Sequence, residues 1–341
     1  MLREHRDAEP GNPEAPDAAV TRGQRRPDGK WRRLITGTLF MLILILLSFA
    51  IALSPWDQVA SALRSATPGL LALAFFASLG VYPLWVWQWR RIAAPLRSVP
   101  WPVMAQVVAL SMGARFTVSG IGGVASGGTA LHGHAGLSPA EAASVMTVDQ
   151  MLAGGTKLLV LTLALAIAPL PPIVRSASLG LVAGLVALCG LLFVLIRFNR
   201  LPRQGRVGRL RAAIAGFAQD LVRLGSVRVV LPASVLALLK KGLEIASAYA
   251  IQRALGIDGP LALAILAVAS VSLVSLLPLA PVQLGPQALA VFTTYAALGT
   301  PTAEAISVAA LHQAMMLATT LIIGAVAIAL ASRPTQTNPS P

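Results

Sequence analysis

Apolar runs of about 20 residues, set off by arginine, proline or glycine, recur along most of this chain. Leu34–Leu53, Gly69–Trp87, Ala142–Pro169, Leu179–Ile196, Val229–Ala254 and Ala303–Ala331 are each close to, or above, the roughly 20 residues a helix needs to cross a bilayer. Shorter apolar stretches lie between them. Trp101–Val118 is followed by the glycine-laden Val124–Leu137, and Leu261–Leu277 by Gln283–Leu298. These read as two hairpins that enter and leave the membrane on one side. Irregular backbone at membrane depth is tolerated only where protein or a water-filled cavity covers it, so such hairpins imply a polar interior. The pattern predicts an all-α, polytopic helical membrane protein.

The basic residues then orient the spans. Arg22, Arg25, Arg26, Lys30, Arg32 and Arg33 precede the first, which places the N-terminus inside. Residues 1–33 carry both charge signs and no apolar periodicity, as expected of a disordered cytoplasmic tail. A short loop with Pro55, Trp56, Asp57 and Arg64 follows the first span. The second ends in Trp85, Trp87 and Trp89, an expected interfacial belt, and then Arg90, Arg91 and Arg97. Arg197, Arg200, Arg203, Arg206, Arg209 and Arg211 mark another inside loop, and residues 197–226 read as an amphipathic cytoplasmic segment. Both flanks of the Trp101–Ile196 region are then inside, so three full crossings do not fit and Trp101–Leu137 becomes the non-crossing hairpin. Residues 332–341 form a second cytoplasmic tail.

A repeat lies across this pattern. Shifting the chain by 163 residues lays Gly122–Leu158 on Gly285–Leu321 without a gap, with eleven of 37 positions identical. The pairs Gly122/Gly285, Gly136/Gly299, Glu141/Glu304, Ser144/Ser307, Gln150/Gln313 and Thr156/Thr319 carry most of the weight. The halves run from about 69 to 168 and from 229 to 331. Loop charge sends Gly69–Trp87 inward and its counterpart near Ala250 outward, so the copies are expected to be inverted. Secondary transporters commonly have this arrangement, with the substrate at the interface of the repeats.

Composition agrees with a membrane class: 56% of residues are hydrophobic and 12% charged. The net charge of +14 sits beside apolar spans, which fits anionic lipid headgroups and not nucleic acid. The single cysteine, Cys189, lies within an apolar run and reads as a packing residue.

The repeated segments resemble the lysylphosphatidylglycerol synthase transmembrane, or flippase-like, family. The first motif is Arg115 with Ser119-Gly120-Ile121-Gly122-Gly123-Val124, then Gly136 and Ala140-Glu141-Ala142. The second is Pro278-Leu279-Ala280-Pro281-Val282-Gln283-Leu284-Gly285-Pro286-Gln287-Ala288, then Gly299 and Ala303-Glu304-Ala305. The resemblance covers Leu34–Ala331 and implies movement of a lipid or lipid-linked molecule between leaflets. Arg115 and Ser119 replace the motif's Asn and Pro, Val124 and Ala288 replace glutamates, and Gln150 and Gln313 stand where arginine is expected. Those at Arg115, Val124, Ala288, Gln150 and Gln313 change a charge; if those charges handle headgroups or couple transport, this member uses a different substrate or mechanism from the family's aminoacylated phosphatidylglycerol. With Pro341 as the last residue, a stand-alone membrane module without the synthase domain is expected.

Ionisable groups inside spans are costly, about 2.5–3.5 kcal/mol at a helix centre, and so point to function. Asp149, Gln150, Thr156 and Lys157 share one helical arc, and His312, Gln313, Thr319 and Thr320 share the matching arc. Either a polar pathway or an Asp149–Lys157 charge balance explains the first set. Lys240 and Glu244, four apart, can pair, with Lys241 pointing elsewhere; a headgroup-phosphate contact on the translocation path and a paired or snorkelling role are equally open for them. Arg115 with Gly120, Gly122 and Gly123 at one hairpin tip, and Gly285 with Gln287 at the other, are candidate headgroup contacts. Glu141, three residues after Ser138, has capping-box spacing, and Glu304 also opens a helix. His132-Gly133-His134 is a weak metal motif, and no GxxxxGK[ST] loop supports nucleotide chemistry.

The expected function is lipid translocation in the cell (inner) membrane, both termini cytoplasmic, without catalysis, metal or cofactor. Expected partners are membrane phospholipids, anionic ones above all, and a possible lipid-modifying enzyme. The alternatives are a membrane transferase on a lipid-linked substrate, or a scaffold for a soluble lipid enzyme.

Overall fold

The computed structural model describes residues 56–117, 120–167, 223–275 and 284–331, with 183 and 220 as isolated positions. The spans expected at Leu34–Leu53 and Leu179–Ile196, both tails and most of the segment 197–226 lie outside the described residues. The described residues belong to one compact unit.

Its helices are α1 (Trp56–Ser65), α2 (Pro68–Ala93), α3 (Trp101–Thr117), α4 (Gly120–Gly133), α5 (Pro139–Ile167), α6 (Val227–Ala254), α7 (Leu261–Val274), α8 (Leu284–Ala297) and α9 (Thr302–Ala331). There is no strand among the described residues. α2, α5 and α9 are long and apolar enough to cross a membrane. α6 is as long, at 28 residues, but carries Lys240, Lys241 and Glu244. The short loop expected before Gly69 contains a helix, α1, with Asp57 in its first turn and Arg64 in its last, each suited to the helix dipole.

α3 with α4, and α7 with α8, form the two expected hairpins. The arms of 14 and 17 residues span about 21–25 Å at 1.5 Å per residue, less than a hydrocarbon core of about 30 Å. Side-chain hydroxyls bind the arms together. Ser111 Oγ donates to the Gly123 carbonyl at 2.8 Å, and Thr294 Oγ1 to Ser270 Oγ at 2.9 Å.

α2 and α6 pack along their lengths in opposite directions. The Thr67 amide donates to the Ala254 carbonyl, Ser78 meets Ser247, a Cβ on Gly80 would approach Leu243, and Trp85 lies beneath Lys240. Each then packs beside its own hairpin. Trp89, Ile92, Met104, Leu131 and Val145 share one buried cluster, and Ile251, Leu263, Tyr295 and Val308 share another. The long helices cross over between halves. α5 packs on α7 through Val160, Leu161, Ala264 and Val268, while α9 packs on α3 through Ile323 and Ala109. With no hydrophobic drive between helices in lipid, small residues that admit close approach matter most. At Gly127 an added Cβ would lie 2.7 Å from the Trp89 ring.

The matched residues of the repeat form matched bonds. Gly136 and Gly299 both have positive φ, 68° and 86°, at the turns after α4 and α8. Ser144 and Ser307 are fully buried, and each donates to the carbonyl four residues back. Thr156 and Thr319 each reach the carbonyls three and four residues back. Glu141 forms the expected capping box, accepting from the Ser138 amide at 2.7 Å while its own amide donates to Ser138 Oγ at 3.2 Å.

One expectation about the surface is corrected. Trp85 and Trp89 are buried, edge to face at 6.1 Å, and only Trp87 of the three is exposed. A four-residue spacing puts the first two on the inner face of α2, and Trp87 falls opposite.

Candidate functional site

Two cavities meet inside this bundle. The larger, about 970 Å³, is an open groove between α4, α5 and α7. Its walls are mostly apolar or small: Val124, Gly128, Ala142, Met146, Gly155 and Leu158 are representative. The smaller, about 200 Å³, is a polar chamber among α2, α3, α5, α6, α7, α8 and α9. Lys157 and Ser272 line both. They form the shared wall between an apolar groove and a polar interior.

Two lysines from different helices converge on the last turn of α7. Lys157 Nζ, from α5, donates to Ser275 Oγ at 2.9 Å. Lys241 Nζ, from α6, donates to Ser272 Oγ at 3.2 Å and pairs with Glu244 at 2.5 Å. Cations are favoured at a helix C-terminus, where carbonyls are left without helical partners. Gln287 lies in the first turn of α8 and also lines the chamber, so the positive end of a second short helix adjoins it. Ser78, Ser247, His312, Thr319 and Thr320 complete the polar lining.

The Lys240–Glu244 pair allowed by spacing is corrected to Lys241–Glu244. Lys240 instead lies over the Trp85 ring, 4.8 Å from its centroid. Both lysines are within one turn of Glu244, so spacing alone did not choose between them; the packing of α6 against Trp85 does.

Asp149 does not balance Lys157. It is 1% exposed and accepts from Gln88 Nε2 at 3.2 Å and Gln150 Nε2 at 3.1 Å, outside both cavities. Gln150 lines the groove, whereas Lys157 borders groove and chamber. On the matching arc, His312 lines the chamber and its Nδ1 is buried without a hydrogen-bond partner among the described residues. Gln313 is not part of the chamber lining, and both its amide atoms are buried without such a partner.

At the hairpin tips, Arg115, Gly120 and Gly122 belong to α3 and α4, and their surroundings lie outside the described residues. Gly123 is buried, with its carbonyl taken by Ser111. Gly285 is exposed, with nothing within 4 Å of an added Cβ. The His132 ring closes its own loop, with Nδ1 2.7 Å from the Leu137 carbonyl, and no cluster of metal-binding side chains occurs among the described residues.

Lys241, Ser272 and Ser275 were missed by sequence reasoning. Lys241 was set aside by the spacing argument, and the two serines look like ordinary small residues in an apolar run. Nothing in one sequence shows that α5 and α6 deliver lysines to the end of α7.

The family model for the lysylphosphatidylglycerol synthase TM region matches residues 34–324. The chain belongs to this family. It is thus a membrane protein of a lipid-related family, and the match covers every residue that lines the two cavities. Comparison with curated proteins gave no match.

Proposed function

We propose that this family member moves a phospholipid, or another lipid-linked amphiphile, between the leaflets of the cell (inner) membrane. The observation that carries the reading is the shared wall of Lys157 and Ser272 between an apolar groove and a polar chamber. A lipid has the same two-part character. Its acyl chains suit the groove, and its headgroup needs hydration or hydrogen bonds at membrane depth. On this reading no covalent bond is made or broken.

The antiparallel α2–α6 pair and the exchange of α5 and α9 between hairpins support two inverted copies, with the site where they meet. Arg90 and Arg91 in the last turn of α2, with Arg97 just beyond it, support a cytoplasmic position for that end, with both chain termini on the same side.

The test is leaflet exchange of labelled lipids in liposomes containing the purified protein. Exchange above that of empty liposomes supports the proposal. Product formation without exchange would favour a transferase, and neither activity, with an enzyme held stably through purification, would favour a scaffold.

A further inference from the structure

The polar chamber lies where the two repeats meet. Ser78/Lys241, Val81/Glu244, Met112/Ser275 and Lys157/Thr320 all line it, and the members of each pair are separated by the repeat's own 163 residues. Gly80 and Leu243, the same distance apart in sequence, face each other, and a Cβ on Gly80 would lie 3.1 Å from Leu243 Cδ1. The paired positions are chemically unequal. On α6, Lys241 and Glu244 stand where α2 has Ser78 and Val81.

The long helices that follow the hairpins are unequal as well. Asp149 of α5 is sealed outside the chamber, with one carboxylate oxygen taken by Gln88 and the other by Gln150. Its repeat counterpart, His312 of α9, lines the chamber, and the Nδ1 of its ring is buried without a hydrogen-bond partner among the described residues. A buried nitrogen left without a partner is costly, and ionisable groups at membrane depth mark ion pathways and proton relays. The titratable groups that share the chamber lining with this imidazole are Lys241 and Glu244 from α6 and Lys157 from α5. Helices α1, α2, α3 and α8 also pack on α9, and none of their described titratable side chains lines the chamber.

We infer that His312 and Glu244 form a proton site in this chamber, and that the protein couples its transport to proton movement. The coupling goes beyond the transport reading and rests on it; the proton site stands on the chamber alone. A neutral imidazole has one bare nitrogen, and proton uptake forms one N–H bond there, making both nitrogens donors. Release breaks that bond, water supplies and receives the proton, and no other bond changes. The imidazolium on α9 attracts the Glu244 carboxylate on α6, which otherwise pairs with Lys241. Lys241 also donates to Ser272 in the last turn of α7, so one added charge acts on three helices drawn from one bundle. The chamber, about 200 Å³, has the volume of roughly six or seven liquid waters at about 30 Å³ each, which is room for a water path to the ring.

Proton binding is read first, without transport. In the full chain in detergent, carrying isotopically labelled histidine, the His312 signal is the one of four that H312Q removes, or the one left in H5Q/H132Q/H134Q. It should titrate between about pH 4 and 9, and its midpoint should move by about half a unit or more in E244Q. A His312 that keeps one form over this range, or a midpoint indifferent to E244Q, would overturn the proton site. Coupling is read in liposomes containing the full chain and labelled phosphatidylglycerol, phosphatidylethanolamine or phosphatidylcholine. A pH gradient of one polarity should raise leaflet exchange at least threefold, and a protonophore should abolish the increase. In H312Q the ratio of exchange with and without the gradient should fall to one, whatever the basal rate. E244Q should flatten the same ratio, and it provides the second reading if H312Q fails to fold. Equal exchange with and without the gradient in the parent would overturn the coupling and leave the transport reading in place. A His312 that titrates as stated, with no exchange of any of the three lipids, sinks the transport reading and the coupling with it and supports the proton site.

Discussion

The Thr67 amide donates to the Ala254 carbonyl at 2.9 Å, so the first turn of α2 is tied to the last turn of α6. Two helices that correspond by the 163-residue repeat therefore lie side by side and point in opposite directions.

This relationship makes a topological prediction. With Cys189 replaced by serine, single cysteines at the exposed positions Ser98 and Ser226 should react with a membrane-impermeant thiol reagent from the cytoplasmic face. A cysteine at the exposed Ser65 should react only from the opposite face. Reaction of Ser65→Cys and Ser98→Cys from one side would defeat the inverted arrangement.

The α4 helix lies so close to α2 that Gly127 has no space for a methyl group. An added Cβ would be 2.7 Å from Trp89 Cη2 and 3.1 Å from the Met146 thioether. Trp89 is fully buried and has nowhere to retreat. Gly127→Ala should destabilise by about 1–3 kcal/mol, the usual cost of overpacking. Gly128→Ala, whose Cβ would meet Met146 at an ordinary 3.9 Å, should be near neutral. Thermal unfolding in detergent would separate the two.

The glycines after the two hairpins should differ under one substitution. Left-handed backbone costs a non-glycine residue about 1–2 kcal/mol, so Gly299→Ala should lose about that much. Gly136→Ala should lose more, because its Cβ would also lie 2.9 Å from the Arg97 guanidinium that donates to the Gly136 carbonyl. Equal midpoints for the two variants would refute the steric part of this account.

Removing one partner of the Lys241–Glu244 pair leaves a charge in the bundle. Glu244 keeps 38% of its side-chain surface open, so the loss from Lys241→Met should lie between the buried and surface cases, about 1–3 kcal/mol. The double variant K241M/E244M should recover part of it. Unfolding midpoints of the two singles and the double form the cycle that measures this coupling.

The groove can be filled without disturbing the packing. Gly155 lines it, is exposed, and has nothing within 4 Å of an added Cβ. Gly155→Leu should leave the unfolding midpoint within about 0.5 kcal/mol of the parent, as for other open surface positions. It should slow leaflet exchange at least tenfold if acyl chains use this groove. Unimpaired exchange would place the chains elsewhere.

Much of this protein was determined by sequence alone. Apolar runs too long for soluble helices fixed the membrane class, because backbone in lipid must satisfy its own hydrogen bonds. A short, glycine-rich run marked the first hairpin, and the self-match marked the second hairpin and the repeat down to Gly136/Gly299 and Ser144/Ser307. Local chemistry was legible as well: the Ser138–Glu141 capping box lies within four residues and needs no distant partner. The tertiary structure decided what spacing leaves degenerate. Lys240 and Lys241 are both within reach of Glu244, and the Trp85 ring takes the first and leaves the second to pair. Asp149 and Lys157 share a helical arc, yet eight residues span more than two turns, so they meet different neighbours: Gln88 on α2, and Ser275 at the end of α7. The candidate site depends on helices far apart in sequence arriving at one point. A periodicity records which face of a helix is polar, and only the packing determines what that face meets.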